Sequence, residues 1–361
     1  MTSSVSHPVT RRRLVLGTAA ALGLAGLGRV ARAQVPGKMV LGTWGGDYSK
    51  LLTKNVETPH LTPKKLAVEH AIAGDPERRA KLLAEARLPH GTSDLQALSA
   101  ANMYEMKEAG VLETIDYGKI PNAKSLLPPM RYAYGVGHIY SGKVILYNPK
   151  LIREVPTGFA DTFDPQHGNR LGIIDIQYQY TMMASALASG GSMSNFEPGK
   201  ERLLAVKNAG ARIYPTNESL AQALQTEEIA LCIMWKARAV QWPNAGINVQ
   251  TVPAKEGVPL YVSGFAIPKN APTKEGAYAY LNAMLEPRAQ EGFAQDMGHN
   301  PTVATAKVPE ATQKRIGFTA QEQQRLKDLD YGYLAKNDSA LKEWWGQGLQ
   351  GMRRRRPRGA R

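Results

Sequence analysis

The stretch that decides the fold is Met39-Val-Leu-Gly-Thr43, followed at once by Trp44-Gly45-Gly46-Asp47-Tyr48. A short apolar run with β-prone residues reads as a first strand. The two glycines break it, because glycine admits backbone angles closed to other residues. A helix is expected to begin near Tyr48. The alternation recurs downstream. Residues 76–88 carry a helical pattern, with Asp75 expected as N-cap and Pro76 at the first helical position. Residues 93–98 read as a strand and 102–109 as a helix closed by Gly110. Strands alternating with helices at this spacing imply an α/β chain with a mostly parallel sheet.

The same reading extends to the C-terminal end. Residues 136–147 are β-rich, 172–176 form a buried strand candidate, and 229–235 and 260–267 are again extended. Helices are expected over 181–189, 201–208, 217–224, 274–285, 319–327 and 339–345. The clearest is 274–285, where Ala277, Tyr280, Leu281 and Met284 fall at helical spacing. There is no internal repeat.

The chain has 361 residues, enough for two ordinary domains, and a formal charge of +14. That charge sits at the ends. Residues 1–33 carry five Arg and no acid, and residues 353–361 carry six Arg and no acid, which leaves +3 for the body. A basic folded face for nucleic acid is therefore not indicated, and a short terminal charge run reads as a solvated tail. At the N-terminus, Thr10-Arg11-Arg12-Arg13-Leu14-Val15-Leu16 resembles the twin-arginine export motif. A short Gly- and Ala-diluted apolar stretch follows, and then Ala31-Arg32-Ala33. Basic region, apolar region and A-x-A site together predict a signal cleaved after Ala33 and a periplasmic mature protein. The single cysteine, Cys232, lies in an apolar run and is expected to be a buried strand residue.

An enzyme is not indicated. The seven histidines are scattered without metal-ligand spacing, and G-x-S-x-G and P-loop motifs are absent. Asp47 or Asp175 alone is not an acid–base pair. No cofactor is implied.

Four stretches, in order along the chain, resemble the bacterial extracellular solute-binding proteins of ABC importers, most closely the spermidine/putrescine-binding type. They are Thr43–Tyr48; Ala160-Asp161-Thr162-Phe163-Asp164-Pro165 with Arg170-Leu171-Gly172-Ile173; Asn217-Glu218-Ser219-Leu220 through Met234-Trp235; and Ser263-Gly264-Phe265-Ala266-Ile267-Pro268-Lys269-Asn270-Ala271-Pro272. The resemblance implies a type II two-lobe periplasmic-binding-protein fold, with mixed sheets flanked by helices and the ligand in the cleft between lobes. It places residues 34–139 and 264–310 in lobe one, 140–263 and 311–350 in lobe two, and a basic tail at 351–361. Crossing strands are expected near 136–144 and 260–264. Two lobes tethered by extended segments can rotate about a hinge, and a ligand touching both stabilises the closed form. A monomer handing a small-molecule solute, on the resemblance a polyamine or related amine, to an inner-membrane ABC permease is the expected working state.

The resemblance also nominates a site. Trp44, Asp47 and Tyr48 follow the first strand, where open α/β sheets bind ligands. Trp235 matches a position that packs on ligand, and Tyr261 and Ser263 lie on the second crossing. Ser99 ends a strand, Gln177 and Tyr178 follow another, and Tyr140 and Ser141 lie on the first crossing. In polyamine binders, the Tyr261 and Ser263 positions hold a Trp and an ammonium-gripping Asp, and carboxylates follow the strand at 172–176. Here that last stretch reads Asp175-Ile176-Gln177-Tyr178-Gln179-Tyr180-Thr181. A desolvated ammonium without charged partners is costly. A monoamine, a neutral aromatic or polar solute, or an anion fits these substitutions better than a dicationic polyamine.

Overall fold

The computed structural model describes residues 37–351. The expected export segment 1–33 lies outside them, as does all of the basic end 351–361 except Gly351. Nine strands carry the architecture: β1 (Lys38–Thr43), β2 (Ala67–Ile72), β3 (Leu95–Ser99), β4 (Gly135–Tyr147), β5 (Leu171–Ile174), β6 (Arg212–Tyr214), β7 (Leu231–Trp235), β8 (Gln250–Val252) and β9 (Val258–Ala266). Ten helices matter for the site: α1 (Asp47–Leu52), α2 (Asp75–Glu85), α3 (Ala100–Glu108), α4 (Tyr178–Ala188), α5 (Glu197–Asn208), α6 (Asn217–Gln225), α7 (Arg238–Asn244), α8 (Lys274–Met284), α9 (Pro287–Met297) and α10 (Tyr331–Trp344).

The strands bond in the order β2-β1-β3-β9-β4-β7-β5-β6, with β8 also beside β4. β1 runs parallel to β2 and β3, while β9 is antiparallel to β3 and β4. Beyond β4, β7 pairs antiparallel, and β5 runs parallel to both β7 and β6. The 13-residue β4 joins two groups of strands. Its residues up to Gly142 pair with β9, and Lys143 to Tyr147 pair with β7.

Strand periodicity divides the second group cleanly. Ile145 and Tyr147 face a core with Phe159, Phe163, Ile173 and Phe196, while Val144 and Leu146 face another with Leu220, Cys232 and Trp242. The first group has its own core, built on Leu41, Leu95, Val136, Phe265, Tyr280 and Phe293. Tyr331, on α10, packs against both the first core and the Phe159 core.

Where the strands pass between groups, the neighbouring atoms leave no room for a side chain at two glycines. A Cβ on Gly264 would lie 2.4 Å from the Val136 carbonyl oxygen, and one on Gly142 would lie 2.5 Å from a Val258 methyl. The pairing of β9 with β4 shifts register between Ser263 and Gly264. That shift is a local bulge at the crossing.

Several boundaries differ from the sequence expectations, each for a local reason. Gly74, not Asp75, caps α2: its amide donates to Glu77 Oε2 at 2.8 Å, and Asp75 becomes the first helical residue. The strand expected over 172–176 stops at Ile174, where a 3-10 turn over Asp175–Gln177 leads into α4. The helix expected over 319–327 shrinks to Ala320–Gln323, capped by Thr319, and Leu326–Lys327 extend beside Val258–Pro259. The last helix starts at Tyr331, eight residues before the expected 339, because the Asp330 carboxylate caps the Tyr333 amide. Among the described residues, no helix is long and apolar enough to cross a membrane.

Candidate functional site

Most of the nominated side chains meet at one place. Trp44, Ser99, Gln177, Tyr178, Trp235 and Tyr261 line a cavity of about 500 Å³ between the two groups of strands. A second space of about 820 Å³ shares Asn102, Tyr178 and Gln179 with it and is walled by α10, so the two form one cleft. The location follows from the topology. β1, β3 and β7 all end at this cavity, with Trp44 just past β1, Ser99 closing β3 and Trp235 closing β7.

The aromatic wall is built from facing elements. Tyr261, on β9, lies 4.9 Å from Trp235 ring to ring, tilted by 36°. Tyr180, on α4, meets the same indole edge-on at 4.6 Å. Trp44 stands edge-on to Tyr48 at 5.2 Å, and the Arg78 guanidinium lies 4.7 Å from the Trp44 ring centre. Aromatic surfaces of this kind hold apolar or cationic parts of a ligand.

The other nominated residues take different places. Asp47 is exposed at the first turn of α1 and does not line the cavity. Gly46, at φ 67°, turns the chain so that the Asp47 side chain leaves outward. Tyr48 and Ser263 are buried beneath the cavity. The Tyr48 hydroxyl is 3.1 Å from His138 Nδ1, and its ring packs on Phe293, which makes it core. Ser99 lines the cavity but spends its hydroxyl on the α3 cap, accepting from the Asn102 amide at 3.2 Å. Ser141 is buried at the crossing, where its Oγ accepts from the Ala237 amide at 3.3 Å, and Tyr140 packs against the first core.

Five charged or titratable residues that matter here escaped the sequence reading. Asp75 lines the cavity, its Oδ1 accepting from Arg78 and its Oδ2 from Asn102 Nδ2 at 3.0 Å. Arg78 is buried. It bonds the Ala73 carbonyl at 3.0 Å and the Ala97 carbonyl, tying α2 to the end of β3. Lys143 is wholly buried in β4, its Nζ donating to Gln177 Oε1 and standing 4.3 Å from the Trp235 ring centre. Burial pushes the Lys143 ammonium down to about 7. Arg238 opens α7 three residues past Trp235, lines the cavity, and donates to Gln241 Oε1 at 2.7 Å. His299 also lines the cavity, and burial pushes its imidazole down to about 4. Two signals were available in the chain: a Lys inside the β-rich run 136–147, and Asp75 and Arg78 three apart on one helix face.

Gln177 is held on both sides of its amide. Its oxygen accepts from Lys143, and its nitrogen donates to Asn217 Oδ1 at 2.8 Å. Asp175, the acid of that stretch, turns toward the C-terminal end and accepts from Trp345 Nε1 at 2.7 Å and Gln350 Nε2 at 2.5 Å. Asp338 on α10 accepts from the Tyr178 hydroxyl and from Gln179 Nε2 at 2.6 Å. The buried thiol of Cys232 is pushed up to about 12 by desolvation, as expected for an inert strand residue.

Comparison with known proteins gives a consistent answer. Residues 64–320 match the family model described as bacterial extracellular solute-binding protein. A spermidine/putrescine-binding periplasmic protein of Salmonella typhimurium is 27% identical over 232 residues, covering 60% of this chain and 66% of that protein. A GABA receptor, Atu4243, superposes with a TM-score of 0.78 at 18% identity, covering 89% of this chain and 100% of that one. An ABC transporter structure from Clostridium perfringens gives 0.75 at 22% identity, covering 86% and 99%. At these identities the structural likeness speaks for the fold alone.

Proposed function

Because this chain belongs to the bacterial extracellular solute-binding protein family, we propose that it is the solute-binding component of an ABC importer. It captures a small solute outside the inner membrane and presents it to the permease. The observation that carries this reading is the aromatic-walled cavity of about 500 Å³ where β1, β3 and β7 end. A cavity bounded by two groups of strands, joined by the crossing β4 and β9, is one that rotation about the crossing can open and shut.

The finer parts of the reading follow. Lobe one is residues 34–139 and 264–310, and lobe two is 140–263 and 311–350. The twin-arginine-like leader is removed after Ala33 and leaves a periplasmic monomer. Mass spectrometry of the mature protein tests the cleavage, with Gln34 as the expected first residue. Ligand contacts come from Trp44, Ser99, Gln177, Tyr178, Trp235 and Tyr261, with Tyr48 and Ser263 supporting them from below. Asp47, exposed at the rim, is dropped from the contact set.

Polyamines are the first solutes to test, since the Salmonella relative is named for them. A second reading, a neutral or anionic solute, is favoured by a specific observation. Among the described residues lining the cavity of about 500 Å³, the one carboxylate is Asp75, and Arg78 and Asn102 already occupy it, while Glu105, Asp175 and Asp338 line the adjoining space. A thermal-shift screen of the purified protein tests the function, using polyamines, monoamines, amino acids, aromatic carboxylates, phosphonates and sugars. A ligand that binds only the native state raises the melting temperature by linkage. A saturable shift with any member supports the reading, and silence across the panel overturns it.

A further inference from the structure

The charges around the cavity are unequal, and the inequality names a solute class. The cationic side is Arg238, whose guanidinium borders the cavity. Its hydrogen-bond partner is the neutral Gln241 oxygen at 2.7 Å, and among the described residues no carboxylate lies in ion-pair contact with it. Gln241 in turn donates to the Met297 carbonyl at 3.0 Å, so the guanidinium is held by a contact that reaches across the cleft. The exposed Glu218 and Asp47 act on Arg238 only through space. Behind Trp235 stands the buried amine of Lys143, again without a carboxylate in contact among the described residues.

The anionic side is weaker. Both Asp75 oxygens are bonded, one to Arg78 and the other to Asn102. The Gln177 oxygen, the acceptor nearest to where a carboxylate was expected, is taken by Lys143. An incoming diamine would bring an ammonium group beside Arg238 and find the Asp75 oxygens occupied, while Asp175 and Asp338 of the adjoining space already accept from Trp345 and Gln350 and from Tyr178 and Gln179. Burying a cation without a partner is costly. An incoming carboxylate finds in Arg238 a planar donor pair matched to its two oxygens, the strong form of charge-assisted bonding.

We propose that the cleft takes a small solute bearing a carboxylate, seated on Arg238, with its carbon skeleton against Trp44, Trp235 and Tyr261. This deepens the solute-binding reading and rests on it. The guanidinium fixes orientation and selects the anionic end. The aromatic wall supplies apolar contact, as in most small-molecule pockets.

Three four-carbon chains separate the charge question from size: putrescine with two ammoniums, 4-aminobutyrate with one of each charge, and succinate with two carboxylates. Titration calorimetry and thermal shift on the purified protein are expected to show saturable binding of at least one of the two carboxylates and none of putrescine. Arg238→Gln should raise the Kd of the bound carboxylate at least tenfold while leaving the melting temperature of the unliganded protein in place. Arg238→Lys, which keeps the charge and the fold but not the fork, should recover part of the loss. If Arg238→Gln fails to fold, the loss in Arg238→Lys relative to wild type carries the test. Putrescine binding as tight as the carboxylates, carboxylate binding indifferent to Arg238, or no binding of either carboxylate each overturns the assignment. A shift with putrescine or a sugar leaves the solute-binding reading standing while ending this one. Silence from the whole wider panel ends both.

Discussion

The Lys143 ammonium stands 4.3 Å from the centre of the Trp235 ring, wholly buried, with the Gln177 amide oxygen as its hydrogen-bond acceptor. A lysine held this way is favoured neutral, because burial penalises the charged form more than one amide and one indole compensate. Its value falls to about 7 from the ordinary 10.5. Between those values the unfolded chain holds a proton that the folded chain lacks. Stability from this group therefore rises with pH from about 7 to 10.5, and is lowest and flat below 7. Lys143→Met, which keeps the length and a soft contact to the indole, is expected to raise stability at pH 6.5 by about 2 kcal/mol. The gain should vanish near pH 10.5. Urea denaturation at both pH values checks this, and equal gains at the two would contradict it.

Acid should act through a different pair. Burial holds the His138 imidazole down to about 3 and that of His299 down to about 4, against an ordinary 6.5. Both are neutral in the fold, and the unfolded chain takes up protons first. Stability is fully present above pH 6.5 and is lost as pH falls toward 4, by about 1.4 kcal/mol per pH unit for each histidine. His299→Gln is expected to remove about half of that slope, measured as melting temperature against pH from 7 to 4.5. An unchanged slope would place the acid response elsewhere.

The aromatic wall makes a direct prediction. Trp235 supports both Tyr261 and Tyr180, so its truncation opens the cavity on two sides. Trp235→Ala is expected to weaken binding of the screened ligand by tenfold or more. Trp44→Ala should do the same to a lesser degree, since Arg78 and Tyr48 keep the loop in place. Wild-type affinity in both variants would move the site away from this cavity.

The crossing tolerates no side chain at Gly264. A Cβ there would lie 2.4 Å from the Val136 carbonyl oxygen, and backbone cannot yield as a side chain does. Gly264→Val is expected to lower stability by about 2 kcal/mol or more through overpacking. Chemical denaturation measures the loss, and a wild-type midpoint would mean that the strands separate at little cost.

The α/β alternation was legible because its apolar runs, glycines and helix periods are local. Met39 to Thr43 and residues 274–285 read correctly for that reason. What the chain concealed is tertiary. Asp75 looked like a cap because an Asp before Pro is one by habit, yet Gly74 and Glu77 do that work and Asp75 turns to Arg78. Residues 319–327 read as a helix from composition alone. The partnership of Leu326–Lys327 with Val258–Pro259 is a long-range pairing that no local pattern announces. Trp44, Trp235 and Tyr261, nominated by position in motifs, line the cavity, while Arg238 and Lys143 were not nominated. Lys143 was marked by its place inside a β-rich run, whereas Arg238 has no local signature until the fold shows that no carboxylate pairs with it. Tyr48 was read as a contact and is core, because its hydroxyl is consumed by His138 one layer below the cavity.

The burial of Cys232 has a practical side. It is the single cysteine of the chain, wholly covered, and its thiol is pushed up to about 12. Maleimide chemistry at neutral pH needs an accessible thiolate, so the natural thiol is silent under native conditions. Cysteines introduced at Ile72 beside the first group of strands and Val155 beside the second, exposed by 59% and 54% and away from the cavity lining, can therefore be labelled without first removing a native residue. A donor–acceptor pair of dyes at those two positions turns the opening and shutting of the cleft into an optical distance, read on single molecules as each candidate solute is added.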